Sequence, residues 1–84
     1  MSILDLENEV RDIAIRELSL NPNTFNMATP LVHVNNVDSL DFVHLMVTYE
    51  ERFELELEDA LHPRIACLND LVRILITEKG VTIA

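Results

Sequence analysis

An all-α fold is what this sequence predicts: a small antiparallel four-helix bundle, three main helices plus one short helix, with a long loop between helices 1 and 2. Three observations predict it. The chain has one glycine in 84 residues, which leaves almost no room for tight β-hairpins or glycine-rich phosphate loops. Three stretches place apolar residues at the three-and-four spacing of a buried helix face. The one stretch that alternates like a strand, Glu54-Leu55-Glu56-Leu57-Glu58-Asp59, has no partner strand in sight. The length suits one domain over residues 1–84, with a single modest core and no buried multi-part cleft. A hydrophobic content of 49% argues against disorder.

The first helix is expected over residues 2–19. Ser2 can cap it, with Asp5 three positions on. Leu6, Val10, Ile13 and Ala14 share a face, with Ile3 one turn earlier, and Ile15 and Leu18 widen the stripe. Asn21-Pro22-Asn23 stops it. Residues 20–38 then form a connection too long to hang free in so small a domain. Phe25, Met27, Leu31, Val32, Val34 and Val37 are its expected anchors, and Thr29-Pro30 and Asn35-Asn36 its turn points. The second helix is expected over residues 39–53, burying Phe42, Leu45, Met46, Tyr49 and Phe53. Leu40, Val43 and Val47 form a second apolar line, either more core or an exposed docking strip. Leu55 and Leu57 should point inward from a loop. A short helix follows over residues 59–62, ended or bent near Pro63, with Ile65 as a further anchor. The last helix is expected over residues 68–79, on Leu68, Leu71, Val72, Leu75 and Ile76, with Gly80 as its stop and residues 81–84 a loose tail.

Asp38-Ser39-Leu40-Asp41 is the stretch with the most chemical meaning. Asp38 is a good N-cap and Asp41 puts a second carboxylate in the first turn, close to a capping box. Ser39 then stands at the positive end of a helix with its hydroxyl outward, where a phosphate ester fits without crowding. Taken alone, the four residues read most readily as a plain helix start, and the rest of the chain has to decide. Charge gives context. The formal net charge is −9, and residues 38–59 hold eight acids against Arg52 alone. An apolar strip with an acidic rim has the layout of a recognition surface for basic partners. The same charge argues against nucleic acid and against anionic membrane surfaces.

Other chemistry finds little support. His33, His44, His62 and Cys67 lack metal-ligand spacing. Ser39 and His44 lie five apart on one helix, a poor geometry for a nucleophile–base pair; His44 reads as a surface residue able to pair with Asp41. The acidic run lacks the glycine and the order of an EF-hand loop. Cys67, the single cysteine, allows no internal disulfide and suits a reducing compartment. No signal peptide or membrane span is visible, so a cytoplasmic protein is expected.

Taken together, the chain resembles the acyl carrier proteins. Asp38-Ser39-Leu40-Asp41 matches the family's attachment motif. Tyr49-Glu50-Glu51-Arg52-Phe53 resembles the acidic end of its second helix. Residues 57–65 and 68–75 fit its third and fourth helices without gaps. The resemblance implies no enzyme activity of the chain's own. It implies 4′-phosphopantetheine, taken from coenzyme A by a phosphopantetheinyl transferase, on Ser39, carrying acyl groups as thioesters. It implies contacts with partner enzymes at Asp38, Leu40, Asp41, Val43, Val47, Glu50, Glu51 and Ile65. The partners would be acyl-loading, acyl-transfer or condensing enzymes with basic docking patches, serving fatty-acid, polyketide or specialised lipid biosynthesis, and the carrier a monomer. Leu45, Met46, Tyr49 and Phe53 would line an interior able to shelter a chain. The sequence departs from the pattern at Asn35-Asn36-Val37, where a glycine is usual, at His44, at His62-Pro63 and at Ala66-Cys67. These departures point towards a dedicated carrier in a specialised route. An aminoacyl or peptidyl carrier, and an acidic helical interaction module that is never modified, are the alternatives.

Overall fold

Helix α1 (Ile3–Leu18) starts on the capping box its sequence predicts. The Ser2 hydroxyl accepts from the Asp5 N–H at 3.1 Å, and the Asp5 carboxylate accepts from the Ser2 N–H at 3.3 Å. It ends at Ser19, which turns into the left-handed region with φ of 53°. Leu6, Val10, Ile13 and Ala14 are buried, as their spacing requires. Ile3 is not: at 51% exposure it sits outside the core face it was expected to join. The structure is a computed structural model and describes residues 2–34 and 37–81. The expected turn at Asn35-Asn36 and residues 82–84 of the expected tail lie outside these.

The long loop is laid against the molecule. Asx turns at Asn21 and Asn26 fold its first half. Two backbone hydrogen bonds tie its middle to the start of the last helix. The Leu31 N–H donates to the Ala66 carbonyl at 2.8 Å, and the Asn69 N–H donates to the Met27 carbonyl at 3.2 Å. The second bond satisfies one of the N–H groups that any helix leaves unpaired in its first turn. Leu31 is buried, and Phe25, Met27 and Val34 pack against the core. Val32, expected as an anchor, is 83% exposed. It sits in a short 3₁₀ turn, Leu31–His33, where neighbouring side chains point apart, so only one of the pair can face inward.

Helix α2 (Ser39–Phe53) has the predicted bounds. Leu45, Met46 and Tyr49 are buried, while Phe42 and Phe53 are half-buried against the core. The Tyr49 hydroxyl donates to the Val10 carbonyl at 2.7 Å. Arg52 pairs with Glu9. Both contacts set the C-terminal half of α2 against the N-terminal half of α1, an antiparallel pair. The chain then runs through Leu55, half-buried, and Leu57, buried, into a 3₁₀ helix, Asp59–Arg64. This short helix runs two residues past the expected end and holds Pro63 inside it.

Helix α3 (Leu68–Thr77) buries Leu68, Leu71, Val72, Ile74 and Leu75. Ile74 was not among the expected core residues, and Ile76 is only partly buried. The helix stops two residues earlier than predicted. The Lys79 N–H folds back on the Ile74 carbonyl and the Val81 N–H on the Leu75 carbonyl, with Gly80 at φ of 68°. Among the described residues there is no strand. The radius of gyration is 11.9 Å, against about 12 Å from the scaling for compact chains of this length, so the loop adds no bulk.

Candidate functional site

The start of α2 is built by two carboxylates that hold each other's backbone. Asp38 Oδ1 accepts from the Asp41 N–H at 2.9 Å, and Asp41 Oδ2 accepts from the Asp38 N–H at 3.2 Å. Asp38 is extended, with φ of −111°, so the helix begins abruptly at the next residue. That residue is Ser39, exposed at the first helical position. The capping box fixes the helix direction, and the helix end supplies partial positive charge beside the hydroxyl.

A groove of about 480 Å³ opens beside Ser39. Leu31, Val32 and Val37 of the loop, Phe42 of α2, Pro63 in the 3₁₀ helix and Ile65 just after it line it, with Ser39 at its edge. The Leu31–Ala66 backbone bond holds its two walls together. The loop and the 3₁₀ helix, distant in sequence, therefore meet next to the one exposed hydroxyl at the start of α2.

The second apolar line of α2 is an exposed strip. Leu40 is 61% exposed, Val43 43% and Val47 42%. Asp38 flanks it at one end and Glu51 at the other, both exposed. Asp41 is half-buried and engaged in the cap. Glu50 is also half-buried, and its carboxylate accepts from the Leu57 N–H at 2.7 Å. It therefore braces the loop after α2 as well as edging the strip. Ile65 does not belong to this surface. It is 4% exposed, in the core, as its reading as an anchor expects and its place among exposed contact residues does not. His44 is exposed, and no ion pair among the described residues includes it.

Charge pairing sharpens the contrast. Arg52, the one cation of the acidic stretch, turns to Glu9 on α1. Glu58 pairs with Lys79 at 2.6 Å, and the hydrogen bond from Lys79 holds its carboxyl below the usual range. Among the described residues no ion pair engages Glu51, Glu54, Glu56 or Asp59. The field on this side stays negative.

Comparison with known proteins agrees with the geometry. No family model matches the chain. The acyl carrier protein of Wolinella succinogenes is 32% identical over 79 residues, covering 94% of this chain and all of that one. The acyl carrier protein of Campylobacter fetus is 32% identical over 72 residues, covering 86% and 90%. A solution structure of a candidate acyl carrier protein from Anaplasma phagocytophilum superposes with a TM-score of 0.80 at 32% identity, covering 96% of this chain and 94% of that one. The chain belongs to the acyl carrier protein family. Acyl carrier proteins are carriers and not enzymes, and neither the aminoacyl carrier nor the unmodified module is favoured by these matches. The family implies a phosphopantetheine group, and the start of α2 fits one. An exposed hydroxyl stands free of packing at a helix N-terminus, with an apolar groove at its side for the less polar parts of an attached arm. Among the described residues no helix is long and apolar enough to cross a membrane.

Two features of this acyl carrier protein escape a residue-by-residue reading. Asp70 caps α3 from inside: its Oδ2 accepts from the Ala66 and Cys67 N–H groups at 3.1 and 3.2 Å. An Asp three residues after the cap position, Cys67, was the available signal. Desolvation, the largest influence, pushes the Asp70 carboxyl up, but the hydrogen bonds from Cys67 and Ala66 and the charge of Arg73 outweigh it and hold it below the usual range. The brace from Glu50 to Leu57 has no local signature, because it joins residues seven apart across a helix end.

Proposed function

We propose that Ser39 carries 4′-phosphopantetheine and that the protein, a single domain over residues 1–84, ferries acyl groups between enzymes of a biosynthetic pathway. The observation that carries this reading is the exposed Ser39 hydroxyl at the capped start of α2, beside an apolar groove. The group itself supplies a terminal thiol, on which an acyl chain is held as a thioester. The chain's own residues do the rest. The Asp38–Asp41 box keeps the helix start rigid while a transferase reaches the hydroxyl. Leu40, Val43 and Val47 give each partner a small apolar foothold, and Asp38, Asp41, Glu50 and Glu51 steer basic docking patches towards it. A small apolar centre with a charged rim suits brief, reusable docking.

The partners are a phosphopantetheinyl transferase and acyl-loading, acyl-transfer or condensing enzymes, met by a monomeric carrier in the cytoplasm. The departures at His44, His62-Pro63 and Ala66-Cys67 favour a specialised route, polyketide or modified lipid, over a housekeeping one. The test is direct. The purified chain is incubated with coenzyme A and a promiscuous transferase, weighed intact, and the adduct mapped. One phosphopantetheinyl group on Ser39 is expected. Ser39→Ala should abolish loading and shift stability by no more than about 0.5 kcal/mol, as for exposed surface positions. An adduct on another residue, or none from any transferase, refutes the assignment. Offering the loaded protein a panel of activated acyl and aminoacyl substrates then reads the cargo by mass.

A further inference from the structure

We infer that His44 makes docking on α2 respond to pH: neutral, it leaves the acidic rim whole for basic partners, and protonated, it weakens their hold. The inference rests on the reading of Ser39 as attachment point and of Leu40, Val43 and Val47 as the partner surface. Placement carries it first. A helix advances by about 100° per residue, so Leu40, His44, Val47 and Glu51 fall within about 60° of one another. The buried Leu45, Met46 and Tyr49 lie on the opposite side of the helix. Leu40 and Val47, one turn to either side of His44, are both exposed, and so is His44 itself. The imidazole therefore stands on the outermost line of α2, inside the apolar strip and not at its edge.

Its surroundings leave it free to meet a partner. Asp41 is the one ionisable side chain within a turn of His44 on α2. Asp41 Oδ2 is already engaged by the Asp38 N–H at 3.2 Å. Thr48 donates its hydroxyl to the His44 carbonyl at 3.0 Å and not to the ring. Helix α1 grips α2 through Tyr49 and Arg52, and the groove below Val43 brings Glu56, Glu58 and Asp59 to a different side of α2. Among the described residues no ion pair reaches His44 from any element. The other two histidines lie elsewhere: His33 in the loop, and His62 turned to Phe42 and to the Leu57 carbonyl.

Charge gives the direction. Histidine is the side chain that ordinarily changes charge between about pH 5 and 8. Asp38, Asp41, Glu50 and Glu51 set a negative field along the strip, and one positive charge in the middle of it cancels part of that field where a basic patch closes in. A charged ring also resists being stripped of water by an apolar contact, which a neutral ring allows at less cost.

The experiment measures the loading of Ser39 by a promiscuous phosphopantetheinyl transferase at low ionic strength, from about pH 5.5 to about pH 8. Wild type is compared at each pH with His44→Gln, which stays neutral, and with His44→Lys, which stays positive. The ratio to His44→Gln removes the pH dependence of the transferase and of His33 and His62. His44→Lys should load about two- to fivefold more slowly than His44→Gln throughout. Wild type should match His44→Gln at the alkaline end and move to the His44→Lys rate at the acid end. The difference should lie in the KM for the carrier, with the maximal rate shared, and should shrink as salt screens the surface. Wild type tracking His44→Gln over the whole range overturns the inference. So do equal rates for the Lys and Gln variants, or a change confined to the maximal rate. Urea midpoints at both pH limits check that all three proteins are equally folded. A failure of the Ser39 assignment is distinct, since no variant then loads at all.

Discussion

Helices α2 and α3 begin with the same local grammar and come to opposite ends. Each has an extended cap residue, Asp38 or Cys67, and an Asp three positions on that accepts from the cap's own N–H. What differs is the residue between, at the first helical position. At α3 it is Leu68, fully buried. At α2 it is Ser39, exposed, with a groove at its side. A capping box therefore does not make a site. It makes a rigid helix start, and the surroundings decide whether the first residue is a core peg or a handle. At α3 the long loop comes down on the helix start, with Met27 accepting from Asn69. At α2 the same loop passes to one side and leaves Ser39 open.

The largest expected effect breaks the contrast at its core. Leu68→Ser should cost about 2–5 kcal/mol, the range for emptying a buried leucine site, while Ser39→Ala stays near zero. Urea unfolding of the two variants measures the difference. In the double variant Leu68→Ser, Ser39→Ala, no pantetheinyl adduct should form at position 68, although a serine then follows a cap with Asp three residues on. An adduct there would show that the cap grammar alone recruits the transferase and that the groove and strip are incidental.

Where the pattern was local, the sequence was readable. The bounds of α2 follow from Asp38 and from the apolar spacing that Leu45, Met46 and Tyr49 complete. The start of α1 follows from Ser2 and Asp5. The misses share a cause. Val32 and Leu31 are equally apolar neighbours, and only the bond from Leu31 to Ala66, thirty-five residues away, decides which one is buried. Ile65 and Glu50 could each face a partner or the molecule, and only the fold shows that Ile65 turns into the core and that Glu50 is drawn to the Leu57 N–H across the end of α2. The groove beside Ser39 was invisible for the same reason, since its walls come from segments that meet only in the fold.

A smaller effect compares the two inner caps. Asp70 accepts two backbone N–H groups and pairs with Arg73 at 2.7 Å. Asp41 accepts one, and α2 keeps the Asp38 side chain as a second cap. Asp70→Asn should therefore cost about 1 kcal/mol, and Asp41→Asn a few tenths. The Asp70 carboxyl is held below its usual value, so its contribution is present above the unfolded carboxylate range, about pH 4, and is lost as pH falls through the folded value. Denaturation midpoints measured down the acid range should show wild type and Asp70→Asn converging. A constant gap would mean that the carboxylate charge is not what α3 uses.

The smallest effect lies on the strip, at the end of α2 away from Ser39. Glu51 is exposed and in no ion pair among the described residues, whereas Asp70 is tied to Arg73. Glu51→Lys should slow pantetheinylation by about two- to fivefold at low ionic strength, through loss of steering, with stability unchanged. The difference should shrink as salt screens the surface over a Debye length of about 8–10 Å. Glu50→Lys should slow loading too, but it also gives up the brace to Leu57 and lowers the unfolding midpoint. The pair separates steering from support: a charge that only steers moves the rate and its salt dependence, and one that also braces moves stability. If Glu51→Lys leaves the loading rate unchanged at low salt, the acidic rim of α2 is solvation, and docking falls to Leu40, Val43 and Val47 alone.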